Sequence, residues 1–161
     1  MNIIDNLKKF SETHNMDSIG LHMTEELIEE WYDSSPLNCV AFATTGGDGV
    51  HFSIFKDYDV ENSPVVMTVP MNFGEENMIV TNSLHDFLRL GCKFGYFNLE
   101  QLSYDYEATV QKIEDCNKQE VKNPELLALS TEFKLSPINE IANYLNDSNE
   151  SYISKLELED T

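Results

Sequence analysis

Ile3, Ile4, Leu7 and Phe10 recur at the spacing of one helical face and give way to the polar run Glu12-Thr-His-Asn15, so the chain opens on a short amphipathic helix. Thr24 reads as the N-cap of a second helix. Glu25 and Glu26 lie in its first turn, Leu27, Ile28 and Trp31 form its apolar stripe, and Asp33-Ser-Ser-Pro36 ends it. Beyond Pro36 the period changes from helical to alternating. Cys39-Val-Ala-Phe-Ala43 and Val50-His-Phe-Ser-Ile-Phe55 read as two strands, the second alternating Val50, Phe52 and Ile54 with His51 and Ser53. The glycine-rich Thr44-Thr-Gly-Gly-Asp-Gly49 between them makes the pair a hairpin.

A polar loop from Asp57 to Ser63 leads to the strand Pro64-Val-Val-Met-Thr-Val69, and Met78-Ile-Val80 is a short fourth strand, an order that suggests an antiparallel meander. Ser83, with Asp86 three residues on, caps a helix carrying Leu84, Phe87, Leu88 and Leu90, with Gly91 as its C′ residue. From 98 to 146 the pattern is helical. Asn98-x-x-Gln101 precedes a longer helix through Leu102, Tyr106 and Val110, and Asn123-Pro124 and Ser136-Pro137 mark two further starts. Asp147-Ser-Asn-Glu-Ser151 reads as loop, and Tyr152 to Thr161 as a last strand or a frayed end. With no internal repeat and no composition shift, the expectation is a single α+β domain over 1–161, with a mostly antiparallel or mixed sheet of about four to six strands flanked by helices.

Composition narrows the function classes. The 161 residues carry 10 Lys+Arg against 29 Asp+Glu, a formal charge of -19, yet 41% are hydrophobic, enough for a packed core. Such a chain is repelled by phosphate backbones and anionic lipid, so nucleic acid and membranes are not expected partners, whereas neutral or basic proteins are. Cys39, Cys92 and Cys116 are odd in number and widely spaced, which reads as reduced thiols in the cytoplasm. The N-terminus shows no basic stretch leading into an apolar run, as a cleaved export signal would.

No constellation of catalytic or ligating residues stands out. The Thr44–Gly49 loop lacks the GK[ST] of a phosphate loop, runs into a strand and carries Asp48, so a structural hairpin is the simpler reading. Asp57-Tyr-Asp-Val-Glu61 begins like a calcium loop but has Asn62 at its sixth position and Thr68 at its twelfth. His14, His22, His51 and His85 are scattered, without metal-ligand spacing, and no cofactor is expected. Cys92 and His85, seven apart at a helix end, are a possible nucleophile and base, against the plainer reading of a core thiol and a surface imidazole. Trp31, Tyr32, Phe94, Tyr96 and Phe97 are candidate partner anchors or packing residues. One distribution is distinctive. No Lys or Arg falls between Lys9 and Lys56, while Glu12, Asp17, Glu25, Glu26, Glu29, Glu30, Asp33 and Asp48 fall inside that window. It is either a solubilising face or a docking face for a basic partner, with Glu25, Glu26, Glu29, Glu30, Asp33 and Asp48 as the candidate contacts.

Phe42-Ala43, Gly46-Gly-Asp-Gly49 with Phe52, the Pro64-Val-Val66 strand, and Ile79-Val80 followed by Ser83-Leu-His-Asp-Phe-Leu88 resemble the SUKH superfamily over residues 38–90. That group includes the yeast cell-wall-synthesis regulator and many bacterial proteins encoded beside polymorphic toxins. Upstream, Trp31 to Leu37 supplies only Pro36 of the turn elements usual there. The resemblance implies an α+β fold, a structural role for Phe42, Gly46, Gly47, Asp48, Gly49, Phe52, Phe87 and Leu88, no catalytic apparatus, and, for bacterial members, neutralisation of a toxin, often a nuclease or deaminase. The expected function is therefore a non-enzymatic protein-binding domain, most concretely an immunity protein for a basic toxin. The alternatives are an enzyme or small-molecule binder with a cleft near Gly46–Gly49 using His51, Asp48 and Cys92, and a regulatory scaffold.

Overall fold

Alternation of apolar residues from Val50 to Val80 produces strands that bury both faces, and the rest of the chain is arranged to cover them. The computed structural model describes residues 2–159. Five strands, β1 (His22–Glu29), β2 (Cys39–Thr44), β3 (His51–Phe55), β4 (Val65–Thr68) and β5 (Asn77–Thr81), form one antiparallel sheet in chain order. The helices are α1 (Ile3–Thr13), α2 (Leu84–Gly91), α3 (Gln101–Tyr104), α4 (Tyr106–Asn117), α5 (Pro124–Phe133) and α6 (Ile141–Tyr152). The expected α+β architecture and meander are observed. No described helix is long and apolar enough to cross a membrane.

Successive strand residues point to opposite faces, so each strand feeds two clusters. Phe52, Ile54, Val65, Met67 and Val80 join the main core with the helices. Phe87 of α2 lies against Phe42 and Phe52, with ring centroids 5.8 and 4.7 Å away, and Tyr96 sits 5.3 Å behind it. On the reverse face Cys39, Phe55, Val66 and Ile79 form a smaller cluster under Tyr58, Tyr152, Ile153 and Leu156. Local signals start several helices, those at Ser83 and Asn123 as expected. Asn2 and Asp5 form a capping box for α1, Ser83 Oγ accepts from the Asp86 amide, and Asn123 Oδ1 accepts from the Glu125 and Leu126 amides. Glu61, in the segment that begins like a calcium loop, accepts from the Ile3 amide at 2.8 Å and so serves the start of α1.

Several expectations are corrected. Residues 22–29 are a strand, not a helix after Thr24; β1 pairs with β2, and the six residues from Met23 to Ile28 lie opposite only three from Ala43 to Ala41, a large irregular bulge. Gly91 is not a left-handed C′ residue but the last residue of α2. A Cβ there would meet the Tyr96 ring at 2.3 Å, so it is glycine for close approach. The helix expected from Asn98 opens as a 3-10 turn over Phe97–Glu100 and breaks at Asp105, whose side chain caps α4. The helix expected at Pro137 begins at Ile141, after Glu140 in the left-handed region, and continues through Asp147–Ser151, which is not loop. Of the segment expected as a last strand or frayed end, Tyr152 closes α6, residues 153–159 hold a 3-10 turn and then backbone without strand pairing, and Asp160 and Thr161 lie outside the described residues.

Candidate functional site

The reverse face of the sheet is where sequence and structure part most usefully. Its polar positions His51, Thr68 and Asn77 stand in register on β3, β4 and β5. On an open sheet they would face water. Instead residues 31–36 cross this face as a strap, and the polar row ties it down. Asn77 Nδ2 donates to Ser34 O at 2.9 Å while Asn77 Oδ1 accepts from Thr68 Oγ1 at 2.6 Å. Ser35 Oγ lies 2.9 Å from His51 Nε2, and His51 Nδ1 lies 2.8 Å from Gly49 O. A carbonyl can only accept, so Nδ1 carries the proton, and Nε2 accepts from the Ser35 hydroxyl. That hydroxyl oxygen also accepts from the Tyr32 amide at 3.1 Å. Trp31 and Tyr32 close over the imidazole, at 5.5 and 5.4 Å between centroids. Gly49 fits the Tyr32 ring above it: its φ is +73°, and a Cβ would meet that ring at 2.9 Å. Burial pushes the fully buried His51 imidazole below its ordinary pKa, opposed in part by the Gly49 carbonyl.

Beside the strap lies an open groove of about 1190 Å³, walled by Tyr32–Ser34, the β4–β5 loop from Pro70 to Glu76, α6 and the C-terminal segment near Leu158. Among the described residues Asp33, Glu75, Glu76 and Glu159 line it, and no Lys or Arg does. Phe73, 82% exposed, and Leu158, 54% exposed, stand on its rim, and Trp31 and Tyr32 are 37% and 38% exposed. A smaller cavity of about 230 Å³ adjoins it, lined by Glu30, Asp33, Glu159 and Ser35 among others.

The six candidate contacts are therefore divided. Glu30 and Asp33 line these cavities; Glu25, Glu26 and Glu29 are exposed on β1, the open edge of the sheet. Charged side chains and a bulge on an edge strand discourage pairing with another chain, so part of this charge has a structural use. Two lysines flanking the acidic window also return to it. Lys8 Nζ donates to the Glu25 carbonyl at 2.8 Å, and Lys56 Nζ lies 3.1 Å from Glu29 Oε1. Asp48 stands apart, in the left-handed region of the hairpin at φ 54°, where its charge adds to burial in raising the Glu100 carboxyl pKa. Asparagine adopts this conformation readily. Asp48→Asn should thus raise stability by up to about 0.5 kcal/mol at neutral pH, read by thermal unfolding; a loss would mean that the carboxylate makes a contact asparagine does not replace.

Of the enzyme candidates, neither Asp48 nor Cys92 bonds or stacks with His51. Burial raises the pKa of Cys92, and His85 Nε2 donates to Phe133 O rather than meeting the thiol. The Cys39 thiol, also buried, is pushed up to about 12. The hairpin amides of Gly46 and Gly47 donate to Thr44 and Thr45 hydroxyls, not into a cavity. Among the described residues no three His, Cys, Asp or Glu side chains converge as a metal site would require. Tyr96 is fully buried, whereas Phe97 is half-exposed. Sequence reasoning missed Ser34, Ser35, Phe73, Glu75, Glu76 and Asn77; the one local signal was Phe73, a large aromatic in a polar turn. No protein-family model, curated protein or solved structure matches the chain.

Proposed function

We propose that the chain is a non-enzymatic protein-binding domain that engages a basic protein partner, most concretely a bacterial immunity protein acting in the cytoplasm on a nuclease- or deaminase-type toxin. The observation that carries this reading is an exposed acidic surface running from Glu25 and Glu26 of the β1 edge through Glu30, just beyond the strand, to Asp33 on the strap. Among the described residues lysines meet it only at the Glu25 carbonyl and at Glu29. A nucleic-acid-directed toxin needs a positive surface to hold its substrate, and a negative surface both steers the encounter and covers that site. The SUKH-like residues of the hairpin and α2 point the same way.

The test is co-expression with the product of the neighbouring gene, scored by growth and by salt-dependent capture. Replacing Glu25, Glu26, Glu29 and Glu30 together with lysine should weaken capture about tenfold or more and abolish its salt dependence. Unchanged capture would remove the acidic edge from the mechanism.

A catalytic reading has one observation in its favour, the Ser35–His51–Gly49 carbonyl chain, which orders a hydroxyl, a base and an orienting acceptor. Against it, Ser35 and His51 are both buried and Ser35 also holds the Tyr32 amide, so the chain of bonds is accounted for by fastening the strap.

A further inference from the structure

We propose that the groove between the strap, the β4–β5 loop and the C-terminal segment receives a short cationic segment of the partner, with an apolar side chain seated against Phe73 and Leu158; this rests on the reading of the partner as a basic protein. Three observations converge on that occupant. At about 1190 Å³ and open to solvent, the groove exceeds the usual range of small-molecule sites, roughly 300–1,000 Å³, and suits a length of polypeptide. Among the described residues its charge has one sign: Asp33, Glu75, Glu76 and Glu159 face it without a single Lys or Arg, so an acidic or neutral segment gains nothing that a cationic one does not exceed. Phe73 and Leu158, large and exposed, cluster with Tyr32 around the same groove, an apolar patch that a ligand seated there would cover.

The walls are also formed in advance, which reduces the ordering cost of binding. The strap is pinned by His51 and Asn77. The β4–β5 loop closes on itself, with Asn72 Nδ2 donating to Glu75 O at 2.9 Å and the Glu75 amide donating to Asn72 O at 3.0 Å. The opposite wall is held where Asn149 of α6 accepts from the Ile79 amide at 3.0 Å. The C-terminal segment is tied back to the strap end, the Leu37 amide donating to Glu157 O and the Glu157 amide to Asn38 Oδ1.

The chain reports on this site itself, because its single tryptophan, Trp31, packs at a tilt against Tyr32 of the groove wall, with ring centroids 5.8 Å apart. The probe is a synthetic peptide of alternating Lys and Leu, compared with twins that carry Glu for Lys or Ser for Leu, followed by Trp31 fluorescence and calorimetry. The Lys/Leu peptide should bind and weaken with salt, and both twins should bind about tenfold more weakly or worse. Phe73→Ala and the double variant Glu75→Lys, Glu76→Lys should each weaken it by a similar factor while leaving the unfolding midpoint in place, since these side chains carry no core packing.

Equal binding of the Lys/Ser twin, or binding indifferent to both variants, would overturn the proposal. So would sedimentation showing a dimer that Phe73→Ala dissociates, because the occupant would then be a second copy. In the co-expression assay the two ideas separate. Protection lost on reversal of the β1 glutamates but kept by the groove variants would sink the groove and leave the function standing. Groove-dependent peptide binding without any protection would do the opposite.

Discussion

Phe87→Ala should lower the free energy of unfolding by about 3–5 kcal/mol, the cost of deleting a fully enclosed ring whose cavity cannot collapse. The ring has no solvent exposure and touches three other aromatic rings, Phe42 at 5.8 Å and 90°, Phe52 at 4.7 Å and Tyr96 at 5.3 Å. It is the contact through which α2 grips the sheet, so its loss removes apolar burial and aromatic pair energy together. For a domain of this size the midpoint should fall by roughly 6–20 °C. Urea titration followed by circular dichroism measures the change, with an unaltered slope indicating that the compactness of neither end state has shifted. A loss below about 1.5 kcal/mol would mean that neighbouring side chains refill the space and that the cluster is not the keystone of the fold. Phe73→Ala supplies the contrast, for it deletes the same side chain from the groove rim and should cost no more than about 0.5 kcal/mol. The same chemical change thus separates a phenylalanine that holds the molecule together from one that is free to meet a partner.

What could be read from the chain in advance follows the range of the forces involved. The hairpin from Cys39 to Phe55, the strand after Pro64 and the helix after Ser83 were legible because their determinants are local: period-two alternation, a glycine-rich turn, a capping serine. The segment from Thr24 to Trp31 was not. Leu27, Ile28 and Trp31 stand at helical spacing behind two N-terminal glutamates, but pairing with β2 decides the conformation, and the bulge between Met23 and Ile28 destroys the alternation that would have disclosed a strand. At the other end, Asp147–Ser151 looks like loop by composition, yet Ile141, Leu145 and Ser148 of α6 fall on one buried stripe that carries the polar stretch with it. The groove was hidden for a related reason. His51, Thr68 and Asn77 look like the wet side of a half-buried sheet, and only the return of Ser34 and Ser35 across that side converts them into the anchors of a groove wall.

Acidification should loosen this wall. Because burial holds His51 below imidazole's ordinary pKa near 6.5, the unfolded chain binds more protons than the native one over the interval from that value down to the lowered native one. Stability contributed by the neutral ring is therefore complete above about pH 6.5 and is lost as pH falls through the interval, with a slope of up to about 1.4 kcal/mol per pH unit from this one group. The structural cost is specific. A proton on Nε2 removes the acceptor of the Ser35 hydroxyl, whose oxygen already takes the Tyr32 amide, and places a charge beneath Trp31 and Tyr32 with Gly49 O as its other partner. Unfolding measured from pH 7.5 to 5.5 should show the slope in the wild-type chain and a flatter profile in His51→Gln, which removes the titrating ring and leaves the other three histidines as a common background. Ser35→Ala should cost about 1–3 kcal/mol at neutral pH by stranding the Tyr32 amide and His51 Nε2, and it should retain the slope, since the imidazole remains. A slope that persists in His51→Gln would assign the acid sensitivity to other groups. One confined to the wild type and Ser35→Ala would link the titration of a single buried imidazole to the strap that carries Tyr32 and Asp33, and so couple acid to the shape of the groove.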